Sequence, residues 1–278
     1  MTQETSAGGA GSRPSSDGTG GAAGPPPRRP SRWRTRGPIP FALWLAVVLV
    51  YPTASLLYRL RYRNGDRLPA TGPVLLVANH VSVLDPLACA RMAWDHGRVP
   101  HFLIKDAIFR GVIGTLLRQA GQIPVARGSA EAARSLEEAR ADLRAGNMVV
   151  IYPEGSVTRD PDWWPMQART GVARLALTTQ APVVPVAQWG PQRVHDYHAK
   201  KLHLRPRQPA DYLVGEPVDL EALRAEVRAG RALTPELLRQ VTDLIMGRVR
   251  DQLGELRGEP APVGFAARPG RTLPGTAA

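Results

Sequence analysis

The sequence contains a single cysteine, and that scarcity removes two classes of protein at once. Without a second thiol there is no disulfide framework, and no cysteine metal site can be assembled. Cys89 falls inside an apolar helical pattern, which suits a reducing cytoplasm. Lysine is almost as scarce: Lys105, Lys200 and Lys201 stand against 33 arginines, so the formal charge of +12 rests on guanidinium groups. A basic balance suits nucleic acid, an anionic membrane surface or a phosphorylated substrate, and charge alone does not choose among them. Arginines interleaved with aromatics along one helix are missing, and nucleic-acid binding leaves the hydrophobic segment near the N-terminus unexplained. No nucleic-acid partner is expected.

An apolar run of secure membrane-spanning length is also lacking. Residues 37–58 carry no charge and include the continuous stretch from Phe41 to Tyr51, but Pro52 interrupts a segment that is borderline against the about 20 apolar residues a spanning helix needs. The stretch starts too late for a signal peptide and lacks a small-residue cleavage site. Arg28, Arg29, Arg32, Arg34 and Arg36 precede it and Arg59, Arg61 and Arg63 follow, so basic flanks give no inside–outside asymmetry. A helix–break–helix pair dipping into one leaflet accounts for the proline and both flanks, with spanning as the alternative. The expected organisation is a disordered tail at 1–36, a membrane-anchoring segment at 37–63, a globular body at 64–256, and a second Gly/Pro/Ala-rich tail at 257–278.

The body alternates strands and helices. Val74–Ala78 is a continuous apolar run with β-branched residues, the pattern of a strand covered on both faces. Further strands are expected at His101–Ile104, Gln122–Ala126, Met148–Tyr152, Val183–Gln188 and Tyr212–Gly215. Helices are expected at Pro86–Trp94, Ala107–Gln119, Ala130–Ala145, Gly171–Thr179 and Leu233–Leu256. This spacing gives an α/β fold with a largely parallel sheet flanked by helices.

The first strand breaks at Asn79-His80, which places His80 at a strand's C-terminal end, where open α/β sheets bind ligands. Asp85 lies five residues on. A carboxylate on one ring nitrogen would orient the imidazole and leave the other free to take a proton from a hydroxyl. Asp85-Pro86 also reads as an N-cap and first-turn proline, which alone would explain both residues. Lys105, Arg127 with Gly128, and the run Pro153–Arg159 likewise follow strands. In a parallel sheet they share the edge of His80, where arginines could hold a phosphate. His195, Asp196, His198 and His203 sit in a polar stretch without a matching carboxylate pattern, and no metal is expected.

Taken in order, Asn79-His80-x4-Asp85, Lys105, Gly121-Gln-Ile-Pro-Val-Ala-Arg127, Tyr152-Pro-Glu-Gly-Ser156 and Ala181-Pro-Val-Val-Pro-Val186 resemble the four motifs of the glycerolipid acyltransferase family, in particular the 1-acyl-glycerol-3-phosphate acyltransferases. The resemblance covers about residues 60–220. It implies that His80 is the general base and Asp85 its orienting partner. It places Asn79, Ser82, Lys105, Arg127, Glu154, Gly155, Ser156 and Arg159 around the substrate. It further implies an acyl-CoA or acyl-carrier-protein donor, a lysophospholipid acceptor, phosphatidic acid as product, no cofactor, and a place on the cytoplasmic face of the membrane. Another lysolipid or glycolipid acceptor, or a non-catalytic membrane lipid binder, are the alternatives. In one respect the sequence departs from the family: Val157-Thr158 separates Ser156 from Arg159, so either the loop bulges to bring Arg159 to the phosphate or Arg169 takes that role.

Overall fold

The computed structural model describes residues 41–125 and 129–268, with side chains in its fourth helix described from residue 133 onward. The expected tail at 1–36, the last ten residues of the C-terminal one, and Arg127 lie outside the described residues. Five parallel strands form the centre: β2 (Val74–Ala78), β3 (Pro100–Lys105), β4 (Ile123–Val125), β5 (Met148–Ile151) and β6 (Val183–Trp189). β9 (Gln208–Val214) runs antiparallel to β6, and β1 (Tyr58–Arg63) pairs in parallel with β9 at the edge. The resulting order is β1-β9-β6-β2-β5-β3-β4, with a separate hairpin of β7 (His195–Asp196) and β8 (Lys201–Leu202).

All five residues of β2 are buried, as a strand covered on both faces requires. Leu75 and Val77 point into a core built with α4 (Ser129–Arg144), α5 (Gly171–Thr178) and α7 (Pro235–Arg257). Val74, Leu76 and Ala78 point the other way, onto Ala88, Cys89, Met92 and Ala93 of α2 (Asp85–Asp95). α7 closes the first face. Thr234 Oγ1 accepts from the Leu237 N–H at its start, Pro235 fills the first turn, and Gly258 ends it at φ 72°. Leu237, Leu238, Val241, Ile245, Val249 and Leu253 make one apolar stripe that meets the sheet.

Two features differ from the sequence reading. Tyr58–Arg63, read there as the basic end of the anchoring segment, is a strand of the sheet. Its alternation of aromatic or leucine with arginine is the pattern of an edge strand with one face inward. Second, α1 (Phe41–Leu57) continues through Pro52 as one helix of 17 residues. At about 26 Å by helical rise it falls short of a hydrocarbon core of about 30 Å. No helix among the described residues is long and apolar enough to cross a membrane. α1 packs against α2 and α3 (Gly111–Gln119) and is latched there: the Tyr51 hydroxyl donates to Asp95 Oδ1 at 3.1 Å, and Arg91 donates to Asp95 Oδ2 at 2.9 Å while lying 3.9 Å over the Tyr51 ring.

Candidate active site

β2 and β5 are adjacent and in register, with Val77 opposite Ile151. Three residues beyond that pair, on each strand, stand His80 and Glu154. The shared register brings the two together: the His80 N–H donates to Glu154 Oε1 at 2.8 Å, and Glu154 Oε2 accepts from the Met166 N–H at 2.9 Å. The His80 carbonyl accepts from the Thr158 N–H at 2.8 Å. Both backbone polar groups of His80 are therefore fixed by the loop that follows β5.

The imidazole is fixed as firmly. Nδ1 lies 2.8 Å from Asp85 Oδ2, and one ring face stacks on Tyr152 at 4.5 Å, with Phe102 stacked on Tyr152 in turn. Asp85 Oδ2 also accepts from the N–H groups of Val81 at 2.7 Å and Ser82 at 3.0 Å. Those backbone donors require an acceptor, so the carboxylate takes the Nδ1 proton as a third bond. In the neutral imidazole Nε2 is then the nitrogen that can accept a proton, on a side chain that retains 15% exposure. Asp85 is wholly buried, and burial pushes its pKa above the ordinary carboxylate value while the bonds from His80, Ser82 and Val81 counter that shift. The capping role is not the one adopted: Asp85 is the first residue of α2, and its carboxylate reaches back to the preceding turn.

Asn79, Ser82 and Glu154, which the resemblance places around the substrate, turn their side chains inward in this structure. Asn79 trades hydrogen bonds with the Gln188 backbone, at 3.0 and 2.8 Å, and ties β2 to β6. The Ser82 hydroxyl donates to the His195 carbonyl. Both Glu154 oxygens are taken by backbone N–H groups, and burial raises its pKa to about 8. Each braces the turn that presents His80.

Lys105 is exposed at the end of β3, and Gly155, Arg159 and Arg169 are exposed with Ser156 half-buried in the loop after β5. Gly155 has φ 73°, and a Cβ there would stand 2.7 Å from Arg169 Nε, so the Arg169 side chain lies across the glycine. Val157 and Thr158 are buried, the Thr158 hydroxyl bonding the Trp164 carbonyl at 2.6 Å. The extra pair is thus part of the loop's core. His198 Nε2 approaches the Thr158 carbonyl at 2.9 Å and stacks on Trp163 at 3.9 Å, which makes the β7–β8 hairpin a support for this loop. Among the described residues no three His, Cys, Asp or Glu side chains are grouped to hold a metal.

An apolar cavity of about 250 Å³ lies between α1, α2, α3 and β3, lined in part by Val47, Val50, Leu87, Ala90, Phe102 and Leu117. A chain of stacked rings connects its wall to the histidine. Phe102 belongs both to this wall and to the ring stack on Tyr152, and Leu87 follows Asp85 by two residues. Local sequence gave no sign of this cavity, because its walls come from four separate elements. Cys89, behind it in α2, is buried, and its thiol is pushed up to about 12, so it stays protonated and unreactive.

Residues 59–189 match the protein family described as Acyltransferase, and the resemblance seen in the motifs is thereby borne out: this stretch is an acyltransferase-family domain. Human 1-acyl-sn-glycerol-3-phosphate acyltransferase beta is 29% identical over 136 residues, 46% of this chain and 46% of that protein. The bovine alpha enzyme is 28% identical over 182 residues, 61% of this chain and 60% of that protein. The chain thus spans about half the length of such curated relatives. The solved 1-acyl-sn-glycerophosphate acyltransferase PlsC of Thermotoga maritima has the same fold, with a TM-score of 0.57 over 79% of this chain and 81% of that one at 20% identity.

Proposed function

We propose that this acyltransferase-family chain transfers an acyl group from a thioester, acyl-CoA or acyl-carrier protein, to the free hydroxyl of 1-acyl-glycerol-3-phosphate, giving phosphatidic acid. The observation that carries the reading is a His80 held at Nδ1 by Asp85, on one ring face by Tyr152 and at its backbone by Glu154 and Thr158, with Nε2 free and an apolar cavity suited to an acyl chain linked to it through the Tyr152 and Phe102 rings. His80 Nε2 takes the hydroxyl proton as the oxygen attacks the thioester carbonyl. The imidazolium is stabilised by Asp85 and returns that proton to the departing thiolate, so the enzyme ends as it began. Arg169, held over Gly155, supplies a fork for the acceptor's phosphate, with Lys105 and Arg159 as further cations of this edge, and the resemblance assigns Arg127 to the same task. The Acyltransferase match and relatives that bear the acceptor's name support this substrate class.

The membrane reading rests on α1. It exposes Phe41, Trp44, Val48 and Leu49, and Val112 and Ile113 of α3, on which α1 packs, are exposed as well. In this proposal α1 lies in the interface of the cytoplasmic leaflet, and the cavity beneath it takes the lipid chain without exposing it to water. The test is an acyl-transfer assay on purified protein with lysophosphatidic acid, neutral lysolipids and one acyl-CoA. His80→Ala should lower turnover about 10²- to 10⁴-fold with folding intact. Near-full turnover in that variant would remove His80 from catalysis, and equal use of neutral lysolipids would remove the phosphate from the acceptor.

A further inference from the structure

Behind the His80–Asp85 pair lies a set of buried polar atoms that none of these roles uses. Asp85 gathers its three hydrogen bonds on Oδ2, and Oδ1 is buried with no partner among the described residues. A buried carboxylate oxygen without a donor is among the more costly arrangements in a protein interior. Three tyrosine hydroxyls are buried there too: Tyr58 from β1 and Tyr212 from β9 are unpartnered at oxygen, and Tyr152, from the end of β5, has only the weakly bonding Cys89 thiol. All three lie within electrostatic reach of the Asp85 carboxylate, and the Cys89 thiol, one turn along α2, stands beside the Tyr152 hydroxyl.

The chemistry of these atoms is complementary. Each phenol has one O–H to donate, and a carboxylate oxygen accepts two or more. None of the three bonds the carboxylate directly, and an enclosed water with two to four polar partners is the usual bridge across such a gap. We propose that Tyr58, Tyr152 and Tyr212 are positioning residues that donate, through enclosed water, to Asp85 Oδ1, holding the carboxylate ionised and its plane fixed for His80. This rests on the reading of His80 as the base.

The consequence is a change in the pH at which the pair becomes active. With His80 protonated and Asp85 ionised the pair is neutral, whereas the active form carries one uncompensated negative charge in a buried place. Donors on Oδ1 favour that charge, so their removal raises the pH at which the pair gives up its proton. The groups facing Asp85 are His80, Glu154, Cys89 and the three tyrosines. Burial keeps the thiol and the phenols neutral there; Glu154 does titrate nearby, and it is unaltered in every variant below.

The experiment is the titration of the His80 imidazole by NMR in substrate-free, ¹³C-histidine-labelled protein, assigned by its absence in His80→Gln. Tyr58→Phe, Tyr152→Phe and Tyr212→Phe should each move it upward by about half to one pH unit. The acid limb of kcat/KM should move with it. Tyr62→Phe, whose hydroxyl bonds Asp95 at 2.8 Å, should lower stability without moving the titration. If the folded variants titrate as the parent does, the network is wrong. A shifted titration in a protein that transfers nothing to lysophosphatidic acid would uphold the network and sink the acceptor reading. Should no Phe variant fold, uniform 3-fluorotyrosine labelling makes the phenols stronger donors and should move the titration downward; an unmoved value would again overturn the proposal.

Discussion

Asp85→Asn separates the two things Asp85 does, because the structure says which survives the change. Oδ2 is pinned by the Val81 and Ser82 N–H groups at 2.7 and 3.0 Å, and these donors select the oxygen end of an asparagine amide for the same position. The amide oxygen can then still accept from His80 Nδ1–H, so the tautomer that leaves Nε2 free is retained. What disappears is the charge opposite the imidazolium. The difference between a charge-assisted and a neutral hydrogen bond is roughly 1–2 kcal/mol, so kcat should fall about 5- to 30-fold, leaving a small remainder of activity. Stability should behave oppositely. Because burial raises the Asp85 pKa, ionising it costs stability as pH climbs from the unfolded value of about 3.9 through the raised folded one. Asparagine lacks that cost, so the variant should unfold no earlier than the parent at pH 7 and show a flatter pH dependence. Thermal unfolding and steady-state transfer rates from the same preparations test both halves. A loss beyond about 10⁴-fold in a folded variant would mean that the amide has flipped and the backbone donors do not control it. A marked fall in melting temperature would mean that the three bonds on Oδ2 do not re-form.

Other outcomes follow from the same geometry. Arg169→Ala should raise the KM for lysophosphatidic acid about ten- to a hundredfold with little loss of kcat, while Arg159→Ala has the smaller effect; the reverse order would return the phosphate to Arg159. Gly155→Ala, which strains φ 73° and sets a methyl against Arg169, should show the same KM signature. Glu154, with its pKa raised to about 8 from 4.5, binds its proton more tightly folded than unfolded, so stability should fall as pH rises between those values, by on the order of 4 kcal/mol; urea unfolding at pH 5 and pH 8 reads this directly, and equal values would refute it. Deletion of residues 1–57 removes one wall of the apolar cavity and strips Asp95 of the Tyr51 bond, so the shortened protein should aggregate or lose long-chain donors before short ones; unchanged chain preference would detach the cavity from the acyl group.

The sequence alone determined those features that depend on one element at a time. A five-residue apolar run bounded by turn residues is too short for a helix and has the pattern of a strand covered on both faces, so β2 and the strand-end placement of His80 were legible. So were the stripe and caps of α7, because helical period and terminal residues act locally. The expectation of a parallel sheet then put the candidate base and the basic residues that follow the other strands on one edge. Tertiary structure decided what depends on which elements meet. Asn79, Ser82 and Glu154 resemble solvent-facing site residues in sequence, yet each meets backbone from a distant strand or loop and becomes a brace. Tyr58–Arg63 became a strand only because β9 offers it an edge to pair with. The phenols of Tyr58, Tyr152 and Tyr212, from three separate parts of the chain, gather behind Asp85 because sheet order, which no local pattern encodes, sets β1, β9 and β5 around the α2 that begins with it.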